Sequence, residues 1–249
     1  MAPDSRILLE QMGMEIPLIG FYDAPAAEAF RPLVQPPRGK YKCVFDYYIN
    51  WLNGETLHLT ADNFGCGGCG SWIFGVQTRT REEYLKFLVD GEGLKASYEL
   101  MNEWLDTMQP YRREHEHIMI GPLRDEQYEY LKSVTFYVNP DQLGLLMLGA
   151  QYYSSPKDVT PVIAPFGSGC MELLPLFEDL EAAQAMIGAT DIAMRQFLPP
   201  DILAFTVTKA MYERLCGLDE KSFLYKPFWK NLQKARKVNE CKKDTKHKA

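Results

Sequence analysis

The sequence lacks a second Cys-x-x-Cys pair. Its six cysteines are irregularly spaced and include only Cys66/Cys69 at that interval, so the doubled spacing of a zinc ribbon or finger is missing. No apolar run reaches the length needed to span a membrane. The glycine-rich stretch has no Lys-Ser/Thr ending and matches no complete dinucleotide fingerprint, which sets aside a P-loop and leaves a weak case for phosphate binding. Met1 to Arg6 shows no charged-plus-apolar leader, and the cysteines form no disulfide framework. Together these absences lead us to expect a cytoplasmic protein whose thiols stay free or hold metal. The chain's net charge of −6 is uneven: residues 226–249 hold nine Lys/Arg against two Asp/Glu, leaving 18 against 31 elsewhere. An acidic body argues against nucleic acid as a partner.

What is present centres on Gly65-Cys66-Gly67-Gly68-Cys69-Gly70, a thiol pair among four glycines, followed by Ser71-Trp72-Ile73-Phe74. Two intervening residues bring both sulfurs to one side of a tight turn, which suits a metal, an iron–sulfur cluster or a dithiol pair. The strand-like Thr56-Leu57-His58-Leu59-Thr60 feeds this loop, and its alternation places His58 on the polar face. A second glycine-flanked cysteine, Gly169-Cys170, follows the strand-like Thr160 to Ala164. If Ser168 caps the next helix, Cys170 lies in its first turn, where a thiolate is favoured. Cys43 falls opposite the apolar stripe of a helix expected over 40–52 and so faces a polar cleft or solvent. Arg195 reads either as an anion fork or as the i, i+4 partner of Asp191. His115 and His117, in a run of alternating charge, read as solvent contacts.

With 249 residues and 46% hydrophobic content, the chain can bury a proper core. Strands are expected near residues 18, 57, 119, 136, 162, 187 and 205. Helices are expected at 5–14, from the Thr80-Arg81-Glu82-Glu83 capping box to Gly91, at 97–108, after Asn139-Pro140, at 209–215 and at 226–238. This predicts an α/β or α+β fold in a single domain, 1–228, with a mixed sheet and packed helices. Residues 229–249 form a helix end and a basic, disordered tail.

The order of these pieces resembles the uncharacterised ArCR family, domain of unknown function family 169, over about residues 5–228. The matching stretches are Pro17-Leu18-Ile19-Gly20-Phe21, Cys43, Gly54 to Thr60 leading to Cys66-Gly67-Gly68, Gly169-Cys170-Met171-Glu172, and Arg195. The resemblance implies that Cys43, Cys66 and Cys170 are the family-type cysteines and that Gly67, Gly68 and Gly169 shape their loops. It implies no established activity. The chain departs from the pattern twice: Cys69 is an addition, and Ala189-Thr190 stand where the resemblance leads us to expect Gly-Cys.

The leading functional expectation is a metal or redox site of Cys66, Cys69 and Cys170, with Cys43 as a fourth ligand, holding a [4Fe–4S] cluster or zinc. One alternative is a non-catalytic binding protein for a small anionic molecule, using Gly67, Gly68, Gly169 and Arg195. Another is thiol–disulfide exchange through Cys66 and Cys69. The shared-site idea requires Cys66, Cys69 and Cys170 to converge in one pocket away from Cys216 and Cys241. It also carries the expectation that Cys170 titrates below an ordinary thiol.

Overall fold

The computed structural model describes residues 2–38, 42–64, 66–77, 79–107, 110–155, 162–163, 170 and 182–246, with side chains to 238. The strands are β1 (Ile19–Ala24), β2 (Leu33–Val34), β3 (Thr56–Leu59), β4 (His117–Pro122), β5 (Leu131–Val138), β6 (Val162–Ile163), β7 (Ala185–Gly188) and β8 (Leu203–Thr208). They form one mixed sheet in the order β2-β3-β4-β1-β5-β8-β7-β6. The β2/β3 and β6/β7 pairs at the two edges are parallel, and the inner pairs are antiparallel.

That order is one four-strand unit used twice. Each half starts at the centre (β1 or β5), crosses to an edge (β2 or β6) and returns inward through two strands. The register keeps the same two-fold relation: Gly20 faces Val134 across the central pair, flanked by Ile19↔Thr135 and Phe21↔Ser133. Each two-residue edge strand pairs with the first two residues of a four-residue strand, Leu33 and Val34 on Thr56 and Leu57, Val162 and Ile163 on Ala185 and Met186. The pseudo-dyad carries Leu57, His58 and Leu59 onto Met186, Ile187 and Gly188. It carries their partners Ile120, Met119 and Ile118 onto Thr206, Phe205 and Ala204. At the dyad Gly20 makes room for Tyr22, because a Cβ there would lie 2.5 Å from the buried Tyr22 ring and displace it.

Both sheet faces are covered. On one, α1 (Arg6–Met12), α6 (Pro140–Gln151), α7 (Lys209–Cys216) and α8 (Pro227–Lys246) surround a core containing Met12, Tyr22, Phe136, Phe205 and Tyr212. On the other, Ile19, Phe21, Trp51, Leu57, Leu59, Ile118, Ile120 and Tyr137 pack with Cys66, Cys69 and Cys170. A satellite core of Trp72, Leu88, Met101 and Leu105 joins α3 (Gly67–Phe74) to the α4 (Arg81–Lys86) and α5 (Tyr98–Asp106) region. These helices lie between β3 and β4, and the corresponding β7–β8 connection is short.

All seven expected strands are present, and β2 adds an eighth inside the proline-rich passage. The capping box at Thr80/Glu83 forms, and Asn139/Gln142 makes a second at the start of α6. Three expectations need correction. The helix expected over 40–52 begins only after Cys43, as a 3-10 turn Val44–Tyr47 running into α2 (Tyr48–Leu52). The Cys-x-x-Cys glycines belong to the first turn and interior of α3 rather than to an open loop. The helix at the basic end continues to Lys246, well into the segment expected to be disordered.

Candidate thiol site

Cys66 is the N-cap of α3, in extended conformation (φ −152°, ψ 170°), and its sulfur accepts the backbone N–H of Cys69 at 3.3 Å. The Gly68 amide also acts on this sulfur. Thus Cys66 takes the place that serine or aspartate usually fills at a helix start, and the positive end of the helix is directed at a sulfur. Gly70 lets the helix close against the loop before it, since a Cβ there would come within 2.7 Å of the Phe64 ring. Gly67 and Gly68 are half-buried.

The Cys66 and Cys170 sulfurs lie 3.8 Å apart, although the residues are 104 positions apart in sequence. Cys66, Cys69 and Cys170 are all buried in the same core, and Cys43 packs against its edge. Cys69 and Cys43 both act electrostatically on Cys170, and Cys66 acts on Cys43. Cys216 packs against the core of the opposite face. The side chain of Cys241, and Gly169 with Ser168, lie outside the described residues.

Cys43, Cys66 and Cys170 are held protonated. The contact with Cys170, together with burial, pushes Cys66 far above the ordinary thiol range. At Cys170 the Cys66 contact pulls downward, but Cys69 and burial outweigh it and the net shift is well upward. Burial pushes Cys43 up to about 12, helped by the nearby Cys66 and Asp191. This corrects the expectation of a low-titrating Cys170: the helix N-terminus observed at the site acts on Cys66, and at Cys170 the contact with Cys69 together with burial gives a net upward shift.

Spacing limits the ligand sets that fit. Tetrahedral zinc with sulfur at 2.3 Å places its thiolates about 3.8 Å apart, which matches the Cys66–Cys170 separation. Among the described residues, however, no three of the thiols have sulfurs all within 4.8 Å of one another. A three- or four-sulfur zinc cage therefore needs a side-chain adjustment, and a cluster whose cysteines ligate different irons tolerates the wider spread of Cys43 and Cys69 but needs Cys66 and Cys170 to move apart.

Among the described residues the Arg195 side chain bonds to backbone carbonyls rather than to Asp191. Its Nη1 donates to the carbonyls of Ile202 (2.5 Å) and Ala189 (3.4 Å), and its Nη2 to those of Pro199 (3.0 Å) and Pro200 (2.9 Å). It clamps the β7–β8 connection, whose Ala189, Met194, Leu198 and Ile202 pack in the thiol core. Ala189 has φ +62°, the left-handed region that glycine favours, at the position where the resemblance leads us to expect glycine.

Two features escaped the sequence reading. Asp23, fully buried, accepts the amides of Glu114 (2.6 Å) and His115 (2.8 Å), the Tyr111 hydroxyl (2.9 Å) and the His115 ring (3.2 Å). Asp23, Glu114 and His115 are the one triad of ligand-type side chains within 4.8 Å among the described residues. The Asp23 carboxylate is already saturated by donors and Glu114 is paired with Lys132 at 3.0 Å, so the group reads as a loop anchor. His58, expected on a polar face, is buried and bonded to Gln35 and His117. His115, expected in solvent, is tied to Asp23.

The family model for the uncharacterised ArCR family, domain of unknown function 169, matches residues 19–217. No curated protein and no solved structure matches the chain. Among the described residues no helix is long and apolar enough to cross a membrane.

Proposed function

The chain belongs to the uncharacterised ArCR family, and we infer that it is a soft-metal protein whose centre, an iron–sulfur cluster or zinc, is held by Cys66, Cys69 and Cys170 with Cys43 beside them. The observation that carries this reading is the meeting of Cys66 and Cys170 at 3.8 Å across two separate connections of the fold. It is supported by the chemistry of the donors, since buried neutral thiols become thiolates when a cation takes the place of their protons. The amides of Gly68 and Cys69 already face Cys66 and would favour a negatively charged sulfur. The test is anaerobic purification followed by visible absorption and iron, zinc and sulfide assays. The expected result is bound metal that is lost in Cys66→Ser and Cys170→Ser. A folded protein with no metal and no affinity for iron or zinc removes the reading.

The same distance favours a second reading, a reversible disulfide between Cys66 and Cys170 rather than between Cys66 and Cys69. In that reaction a small-molecule disulfide takes two electrons and is released as two thiols, while the two protein sulfurs lose their protons and bond to each other. Peptide mapping after mild oxidation distinguishes the partner. An anionic-ligand site is not favoured, because the Arg195 guanidinium is engaged by backbone carbonyls.

A further inference from the structure

On the sheet face away from the thiols, the His58 Nε2 and His117 Nδ1 lie 3.1 Å apart. His58 projects from β3 and His117 from the first position of β4. The adjacent Met119 packs on this face, whereas Leu57, Leu59, Ile118 and Ile120 pack on the thiol face. Gln35 holds the remaining His58 nitrogen, Nδ1, at 2.6 Å. Gln35 also lines a groove of about 760 Å³ with Arg31, Pro32 and Leu33.

The pseudo-dyad provides an internal control. It carries His58 onto Ile187 and, through the β4/β8 register, His117 onto Leu203. The same corner of the second half is therefore built from two aliphatic side chains. The fold does not require a histidine pair there, so the pair in the first half calls for a chemical reason.

We propose that His58 and His117 form a two-nitrogen site for a borderline divalent cation such as zinc, cobalt or nickel. Metal–nitrogen bonds of 2.0–2.1 Å in a tetrahedral site place two ligand nitrogens about 3.3 Å apart, close to the observed separation. Neutral imidazole is the ligand form, and burial with the neighbouring His117 lowers the pKa of His58, which keeps it neutral. The carboxylates of Glu28 and Glu116 act on the same ring in the sense that favours a positive charge. Binding is proton-neutral when both rings are uncharged. The one proton between Nε2 and Nδ1 moves to His58 Nδ1, which then donates to the Gln35 amide oxygen after an amide turn, while His117 Nε2 keeps the proton it already carries. A hydrogen bond to the far nitrogen of a ligating histidine is the usual support for such a site.

The probe is Co²⁺, because thiolate ligation gives sulfur-to-metal charge transfer and nitrogen ligation does not. The full chain is expected to take up cobalt showing ligand-field bands without charge transfer, separate from any thiolate-bound cobalt. That component should disappear in His117→Ala and His58→Gln and weaken tenfold or more in Gln35→Ala. The thiolate signal, if present, should stay. His117 is only half-buried, so His117→Ala decides the matter even if His58→Gln fails to fold. Unchanged nitrogen-type cobalt binding in folded His117→Ala, or cobalt absorption entirely of thiolate type, overturns the proposal. The proposal is independent of the thiol reading, because the two sites give different spectra and depend on different variants.

Discussion

Replacing Arg195 by Met asks whether this residue serves the fold or a ligand. The guanidinium donates to four carbonyls, and the contacts with Ala189 and Ile202 are partly shielded from water. The contacts with Pro199 and Pro200 are exposed and count for less. A hydrogen bond from a charged group contributes about 1.5–3 kcal/mol, and a carbonyl left buried without a donor costs about as much. Counting mainly the two shielded bonds, Arg195→Met should destabilise by about 3 kcal/mol. For a chain of this size 1 kcal/mol moves the melting temperature by about 2–4 °C, so the expected drop is about 6–12 °C. Arg195→Lys should recover only part of this, since an ammonium cannot reproduce the two-ended fork. The assay is thermal unfolding by circular dichroism, with and without sulfate. A change under about 2 °C, together with loss of a sulfate-dependent stabilisation present in the unmutated chain, would refute the clamp and restore the anion fork.

His58 sets a pH dependence. Its folded pKa lies below the ordinary 6.5, so the unfolded chain binds more protons and stability falls as pH drops through that value; urea melts between pH 7 and 5 should show this, with a shallower slope in His58→Gln. Cys66 and Cys170 are buried and protonated, so in metal-free native protein both should alkylate with iodoacetamide more slowly than the half-buried Cys43, as read by peptide mass. Labelling of Cys170 ahead of Cys43 would contradict the burial argument. Asp23→Ala leaves two amides and the Tyr111 hydroxyl without their acceptor and should cost about 3 kcal/mol or more, seen as a lower urea midpoint. An unchanged midpoint would show that water replaces the carboxylate.

Several strands were legible because they carry a β-branched or aromatic run between turn residues, as in Val134 to Val138 and Ile202 to Val207. The helix start at Thr80 was legible because a capping box is written in two side chains three positions apart, and the start at Asn139 because Asn-Pro marks an N-cap followed by the first helical position. β2 was not, since two residues flanked by Pro32 and Pro36 leave no periodic signal. The stripe over 40–52 is buried at Val44, Phe45 and Tyr48 as the spacing directs, but its phase also directed Ile49 and Leu52 inward, and they are exposed while Tyr47 and Trp51 are buried. That phase depended on a regular helix through Cys43, and the 3-10 turn breaks the period. Alternation misplaced His58 for a different reason. With helices on both faces, β3 has no solvated side and is buried at all four positions. The duplication was hidden because dyad-related residues differ in kind, as His58 and Ile187 do. The proximity of Cys66 to Cys170 was argued from loops leaving strand ends, but the spacing of all four sulfurs depends on side-chain directions that a sequence does not contain.

The 3.8 Å approach of Cys66 and Cys170 also constrains the order of events as the chain folds. The two sulfurs belong to different halves of the duplicated sheet, and joining them closes a loop of 104 residues. Such a contact bears a large closure entropy and forms only after the local hairpins and the central β1/β5 pairing have brought the halves together. A nascent chain with only the first half emerged from the ribosome has Cys43, Cys66 and Cys69 but no Cys170. A site that includes both Cys66 and Cys170 is therefore complete only after the two halves have met.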